Sequence, residues 1–538
     1  MNRRDLLTTL AALPAAASLP LTGKPSSGHD LDNPYAEVDW DQWECLHSMS
    51  HQHQGQTDAS RDGFVEMGYR HFAFSNYYPS APTYPLPTSY ASKHPEVIAA
   101  PNAEHHSFTD AGLHANALGS LLATGYGSDV KATECAVSPI THRFEGLNAF
   151  DAQRPWLGVY RLDLRLSVKE GTPGKTSAQL TIEGAAECDF RNGFKDQGVI
   201  RERAFPPGNH TLYLRATAKH IDTKLTFDTT ALSVTQYRLM QGTNRPWRDV
   251  FREAFEKLHY PDGGGMTLNH PTGKLADYLP MLDFDPRVLG IEVWNQLTSG
   301  FGSSRGFYDD TPGPHLHFYE LWDQILRTGR RCWGFFVKDH NTLGRGRNVL
   351  LVPKLDTLSP SDREAAALRA YRQGAFFGSV AAMAVNDKAE VIAPYDRSEF
   401  RFTRLVIRRD AEGKATAIEV TVTGNDPTRR PNVQIRFITD QGIARIVDAP
   451  TAEFDLSRDS SGKLVAQFIR VEAFAYPSTH QQGKPLTAAM LRDMNVADIS
   501  QLHDHQAPGP QAFGLSKADL RTPIPIVDMI FSQPLRRV

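Results

Sequence analysis

The spacing of apolar and polar positions changes along the chain. Residues 160–166 place apolar side chains at every second position, and 178–182 and 211–215 do the same. A period of two between Gly/Pro turns marks half-buried antiparallel strands, so 155–240 is expected to form an antiparallel β module. The flanking segments read as α/β. Within 40–150, a helix stops near Gly68, an apolar strand covers 69–75, and Pro79, Pro82, Pro85, Pro87 and Pro95 predict an irregular loop. Within 245–395, residues 247–258 have a helical period, and Gly263, Gly264 and Gly265 end it. Apolar strands follow at 266–269, 288–293 and 332–337, with helices over 318–328 and from 360 to 374. Ser359 or Ser361 caps the last helix, and Asp362 and Glu364 fall in its first turn. From 398 to 538 the pattern is β again, with a polar, His-containing loop near 478–512. The β module reads as an insertion into an α/β domain, followed by a C-terminal β-rich domain.

Composition narrows the function classes. The 538 residues are 40% apolar and 22% charged, which supports a large core. Fifty-eight basic against 61 acidic side chains give a net charge of −3, which does not favour nucleic-acid or anionic-membrane partners. Arg3, Arg4, Leu6 and Leu7 precede an Ala/Leu-rich stretch ending in Ala15, Ala16, Ala17 and Ser18. Residues 1–20 thus read as an export signal resembling the twin-arginine type, so the mature protein is expected to be periplasmic or secreted. Pro14 and Pro20 interrupt the stretch, and no later run reaches the ~18 apolar residues of a membrane span. Cys45, Cys135, Cys188 and Cys332 form no CxxC pair and no disulfide framework, although export permits one bridge. No GxGxxG follows a strand and no GxxxxGK[ST] occurs, which disfavours nucleotide-binding folds.

Candidate chemistry lies in the histidines. His51 and His53 form an HxH near a strand end, with His47 just upstream. Glu104 with His105 and His106, His114, the Asn269-His270-Pro271 turn, and Asp339 with His340 lie at the ends of further strands. Sites in parallel α/β folds form at such ends. Imidazoles combined with carboxylates suit zinc, manganese or iron. At most one of His105 and His106 is expected to face the site. His315, His317, His503 and His505 read as solvent-facing loop residues. Glu292 reads as a supporting residue or an arginine partner, and Trp294, Asn295 and Trp322 as packing and turn residues.

These segments, over 40–150 and 245–385, resemble the PHP (polymerase and histidinol phosphatase) superfamily. The resemblance rests on the HxH, on Glu104 followed by Leu113-His114, on Asn269-His270-Pro271, on 290–295, and on 321–331 leading to Asp339-His340. It implies a distorted (β/α)7 barrel, interrupted by the β module, with two or three metals at the strand ends. His51, His53, Glu104, His114, His270 and His340 match metal ligands, with Glu104 the bridging carboxylate. His47 is an alternative first ligand, but Met49 would then replace the second histidine. Asn76-Tyr77 stands where the family carries Asp-His, and Lys338 where it carries an aspartate, with Asp339 adjacent. Lys338 is therefore expected to supply positive charge in place of one metal, and Lys338 or Arg345 to hold an anionic group.

The implied activity is metal-dependent hydrolysis, first of phosphoesters, with Glu104, Lys338 and Asp339 as catalytic residues. One to three divalent ions are the expected cofactors, with no organic cofactor. The expected substrate is a small-molecule or glycan-linked ester. Some relatives with added β domains hydrolyse carbamate or carboxylic esters, which is the second expectation. The third is an exported binding protein with a degenerate metal site.

Overall fold

The computed structural model describes residues 30–53, 55, 57–75, 84, 86, 88–105, 108–120, 246–295, 317–339, 345–382, 399–481, 483–507 and 522–538. It gives the strands between 127 and 241, and residues 88, 317, 504–507 and 522–524, as backbone alone. The expected signal, His106, His315 and His340 lie outside the described residues.

Six strands precede the inserted segment: β1 Leu31–Asp32, β2 Glu44–Met49, β3 His71–Phe72, β4 Ile98–Ala99, β5 Glu104–His105 and β6 His114–Leu118. Helix α1, Asp58–Glu66, links β2 to β3, and α2, Thr88–Lys93, links β3 to β4. The inserted strands are β7 Gly127–Ser128, β8 Ile140–Phe144, β9 Val159–Val168, β10 Ala178–Ile182 and β11 Ala185–Arg191. They continue with β12 Phe194–Asp196, β13 Gly208–Ala218, β14 Thr223–Thr229 and β15 Leu232–Gln241. They pair antiparallel in two sheets, ordered β10-β14-β8 and β12-β11-β13-β9-β15-β7.

Alternation of helix and strand then resumes. The order is α3 Trp247–Glu256, β16 Gly265–Asn269, α4 Leu275–Leu282, β17 Val288–Asn295, α5 His317–Arg327, β18 Trp333–Val337, β19 Gly346–Val352, α6 Pro360–Gln373 and β20 Phe376–Val380. Every residue of β16, β17, β18 and β20 is buried, so these apolar runs are covered on both faces. At α6 the Ser359 side chain accepts from the Asp362 N–H, Pro360 opens the helix, and Gly374 closes it at φ 78°.

The remaining strands are β21 Arg401–Arg409, β22 Ala415–Thr423, β23 Asn432–Thr439, β24 Gly442–Val447, β25 Thr451–Asp455 and β26 Phe468–Tyr476. Short strands β27 Thr479–His480, β28 Lys484–Pro485, β29 His503–Ala507 and β30 Thr522–Pro525 and helices α7 Ala488–Arg492 and α8 Val496–Ser500 intervene before β31 Asp528–Ser532 and β32 Leu535–Arg537. One sheet runs β1-β32-β26-β31-β20-β19-β2-β3-β4, with β23 and β24 branching from β26. Hydrogen bonding therefore crosses the domain boundary expected at 395–398, because β20, apolar on both faces, takes β31 as a partner opposite β19.

A second sheet runs β18-β17-β16-β6-β5, with β16, β17 and β18 parallel and β6 antiparallel to β16. The two sheets meet on both sides. On one side the segment 100–103 passes from one to the other, where Ala100 N–H donates to the Phe72 carbonyl in the first sheet and the Ala103 carbonyl accepts from Ala117 N–H in the second. On the other side Gln52 bridges Asp339, where Asp339 N–H donates to His51 O and His53 N–H to Asp339 O. The ends of β2, β16, β17 and β18 and the start of β6 thus face one another. Among the described residues no helix is long and apolar enough to cross a membrane.

Candidate metal centre

Two groups of ligand-type side chains converge at these strand ends. His51, His53 and Asp339 form one, and Glu104, His114 and His270 the other, the donor atoms of each group lying within 4.8 Å of one another. These groups are close enough to bind a metal. His51 and His53 extend beyond β2 and are fixed there by the Gln52–Asp339 bridge. Glu104 lies opposite Asn116 in the β5–β6 pair, and His114 opposite Asn269 in the β6–β16 pair. The register of antiparallel pairing therefore brings Glu104 and His114 beside the end of β16.

Glu104 stands between the groups. Its Oε1 is 3.0 Å from His114 Nδ1, 3.1 Å from His270 Nε2 and 3.4 Å from His51 Nε2. Asn269 Nδ2 also donates to Oε1 at 3.0 Å, and Oε2 lies 3.0 Å from His53 Nε2. Four nitrogens around one carboxylate oxygen exceed its two lone pairs. In the other group, His51 Nε2 and His53 Nε2 are 3.0 Å apart and lie 3.3 and 3.2 Å from Asp339 Oδ1. Ligand atoms about 2.0–2.1 Å from one ion are separated by about 2.8–3.4 Å in octahedral or tetrahedral geometry. The donor set and its spacing fit a divalent cation of the zinc class.

Supporting residues fix the ring orientations. Glu292 Oε1 lies 2.5 Å from His51 Nδ1, which keeps a proton on that nitrogen and would leave Nε2 to a cation. Glu292 Oε2 accepts from the His270 backbone N–H at 2.6 Å and from Asn295 Nδ2 at 2.7 Å. Asn295 also donates to Asp339 Oδ2 at 3.1 Å. His270 and Asp339 adopt φ of 26° and 53°, conformations that cost about 1–3 kcal/mol in residues other than glycine. Side-chain amides hold the chain just before His51, where Asn102 and Asn116 donate to the Ser50 carbonyl at 2.7 and 2.9 Å.

The electrostatics favour added positive charge. Burial lowers the His51 pKa, but Asp339, Glu104 and Glu292 outweigh it and hold the group well above its ordinary value. His53 and His270 are raised in the same way, by carboxylates acting against burial. Burial raises the Glu104 pKa, but His51 and His114 bring it well below the carboxylate range. Asp339 is lowered likewise, His51 and His53 prevailing over burial.

Several expected residues lie elsewhere. Lys338 is buried and belongs to neither group. Its Nζ lies 4.7 Å from the centre of the Tyr69 ring, beside the apolar cluster around Phe64 and Phe72. Neighbouring side chains at a strand end turn opposite ways, so Asp339 faces the cluster and Lys338 faces Tyr69. Arg345 is committed to backbone carbonyls, donating to Ala381 at 2.6 Å, Ser500 at 3.2 Å and Val527 at 3.0 Å. His47 sits on β2 opposite Val349, outside both groups. Burial, with Arg347 and Arg70, holds it well below its ordinary pKa. His105 is buried but also belongs to neither group. Asn295 and Asn269 have larger roles than packing. Their signal is a polar residue closing a fully buried strand, as in Val288–Asn295, whose polar side chains are Glu292 and Asn295.

No family model matches the chain, and no curated protein matches it. A solved Clostridium thermocellum endo-1,4-beta-D-xylanase, its CBM22-1 and GH10 modules complexed with xylohexaose, aligns at 11% identity with a TM-score of 0.14. The alignment covers 39% of this chain and 46% of that chain, so it spans less than half of the xylanase's length. A likeness of this size carries neither fold nor function to the chain.

Proposed function

We propose that the chain is an exported, metal-dependent hydrolase with a PHP-like distorted barrel, acting on phosphoesters. The observation that carries the reading is Glu104 placed between two ligand groups, with four nitrogens around its Oε1. In this reading His51, His53 and Asp339 would hold one divalent cation, and His114 and His270 a second, with Glu104 available to both. The hydrogen-bonded junctions between the two sheets support the barrel.

Divalent cations in this site would supply a hydroxide nucleophile at neutral pH and neutralise charge developing on phosphoryl oxygens. The chain's own residues prepare the site. Glu292 keeps the His51 proton on Nδ1, and Asn295 holds Glu292 and Asp339 in register. This reading assigns no role to Lys338, whose Nζ lies over the Tyr69 ring, or to Arg345, which donates to three backbone carbonyls. Paired cations suit in-line displacement at phosphorus, which places phosphoesters ahead of carbamate and carboxylic esters.

Elemental analysis of the purified mature protein tests the reading. About two equivalents of zinc, manganese or iron are expected, with one lost in His53→Ala and the other in His270→Ala. Phosphoester turnover should fall with the metal in both variants. A folded protein that takes up none of these ions overturns the proposal. Turnover of carboxylic or carbamate esters alone would keep the metal site and replace the substrate class.

A further inference from the structure

A cavity of about 490 Å³ lies on a different part of β2 from His51 and His53. Its floor is a patch of three paired strands, where Phe377, Val349 and His47 form one lateral row and Leu351 and Cys45 the next. Trp40 and Trp43, from the segment before β2, and Phe400 and Phe402, from the start of β21, form aromatic walls. Such walls suit a flat ring.

The polar groups are unevenly placed. Glu44 and Glu399 are exposed, and the Glu44 carboxylate already accepts the Leu355 N–H at 2.6 Å. Basic groups gather around His47. Arg401 lines the cavity itself, and Arg347 precedes Val349 on the same face of β19. Arg401 Nη1 donates to the Glu399 carbonyl at 3.2 Å, and no carboxylate pairs with its guanidinium among the described residues. The enclosed Trp40 indole N–H has no acceptor.

We propose that this cavity is a second ligand site, separate from the metal centre, for an aromatic carboxylate. The ring lies between the Trp40/Trp43 and Phe400/Phe402 walls. The carboxylate faces Arg401.

Calorimetric titration of the intact, metal-loaded protein at neutral pH tests this with three probes: 2-naphthoate, 2-naphthalenemethanol and 2-naphthylmethylamine. Naphthoate should bind once per chain, about 10- to 100-fold tighter than the alcohol, as expected for a hydrogen-bonded charge. Arg401→Gln should reduce naphthoate to the level of the alcohol, while Arg401→Lys retains part of the preference. His270→Ala should leave naphthoate binding unchanged, which separates this cavity from carboxylate ligation at the metals. The proposal is overturned by no saturable binding, by equal affinity for acid and alcohol, by tighter binding of the amine, or by loss of naphthoate binding in His270→Ala.

Discussion

Glu292→Gln isolates the support beneath the metal centre. The side chain keeps its shape but loses its charge, and one oxygen becomes an NH2 group. In the native site both oxygens are acceptors, Oε1 toward His51 Nδ1 at 2.5 Å and Oε2 toward the His270 N–H at 2.6 Å and Asn295 at 2.7 Å. A glutamine can serve one of these sides. On the other, donor meets donor. If the His51 side fails, the ring loses its fixed tautomer. If the His270 side fails, a backbone at φ 26° loses the bond that offsets its strain. Loss of an outer partner of a metal-bound histidine weakens metal affinity by about 10- to 100-fold, or roughly 1.4–2.7 kcal/mol. The assay is zinc titration against a chelator of known affinity, read beside circular dichroism to confirm folding. A folded Glu292→Gln protein with zinc affinity within twofold of the parent would show that Glu292 does not orient the ligands.

Other outcomes follow from buried groups away from the centre. His71 is fully buried against Ser48, and burial pushes its pKa down to about 3. The unfolded chain then binds one more proton below about pH 6.5, so this group's contribution is present at pH 7 and lost as pH falls. From pH 7 to pH 5 the loss is about 2 kcal/mol, and urea unfolding of His71→Gln should lack this component. Arg470 pairs with both Asp323 oxygens at 2.8 and 2.9 Å and with Glu472 at 2.5 Å, tying α5 to β26. Arg470→Ala strands two acids in the interior and should cost about 3–5 kcal/mol in urea unfolding, with the metal content of the folded fraction unchanged. Gly334→Ala places a Cβ 2.7 Å from the Trp322 ring, and overpacking of about 1–3 kcal/mol should appear as a lower melting temperature.

Much of the centre is legible in the chain because strand ends carry local signals. The HxH marks His51 and His53, and the polar ends of apolar runs mark His270 and Asp339. Partnerships are not legible in this way. Glu292 reaches His51 across 241 positions, and nothing near either residue encodes that contact. The choice between His47 and His51 depends on where β2 stops at Met49 and on the bridge at Gln52. Lys338 is the opposite case. A family pattern suggests its role by position, whereas the turn at Asp339, φ 53°, decides which neighbouring side chain enters the cluster. The pairing of β20 with β31 is also invisible locally, because an apolar run identifies a buried strand without naming its neighbours.

The same long separations bear on how the protein is made. Asn348 holds the Ser50 hydroxyl at 2.9 Å from 298 positions downstream. At synthesis rates of about 5–20 residues per second, roughly 15–60 s pass between the emergence of the two residues. His51, His53, Glu104 and His114 are translated well before β16, β17 and β18 exist to complete their surroundings. On the proposed reading, these side chains would present an open set of donors during that interval, and intrinsic affinity rather than finished geometry would govern which ion they take. The metal that the protein carries would then depend on the ion supply where folding ends as well as on the shape of the site. Refolding the chain in manganese and loading folded protein with the same ion are consequently different preparations.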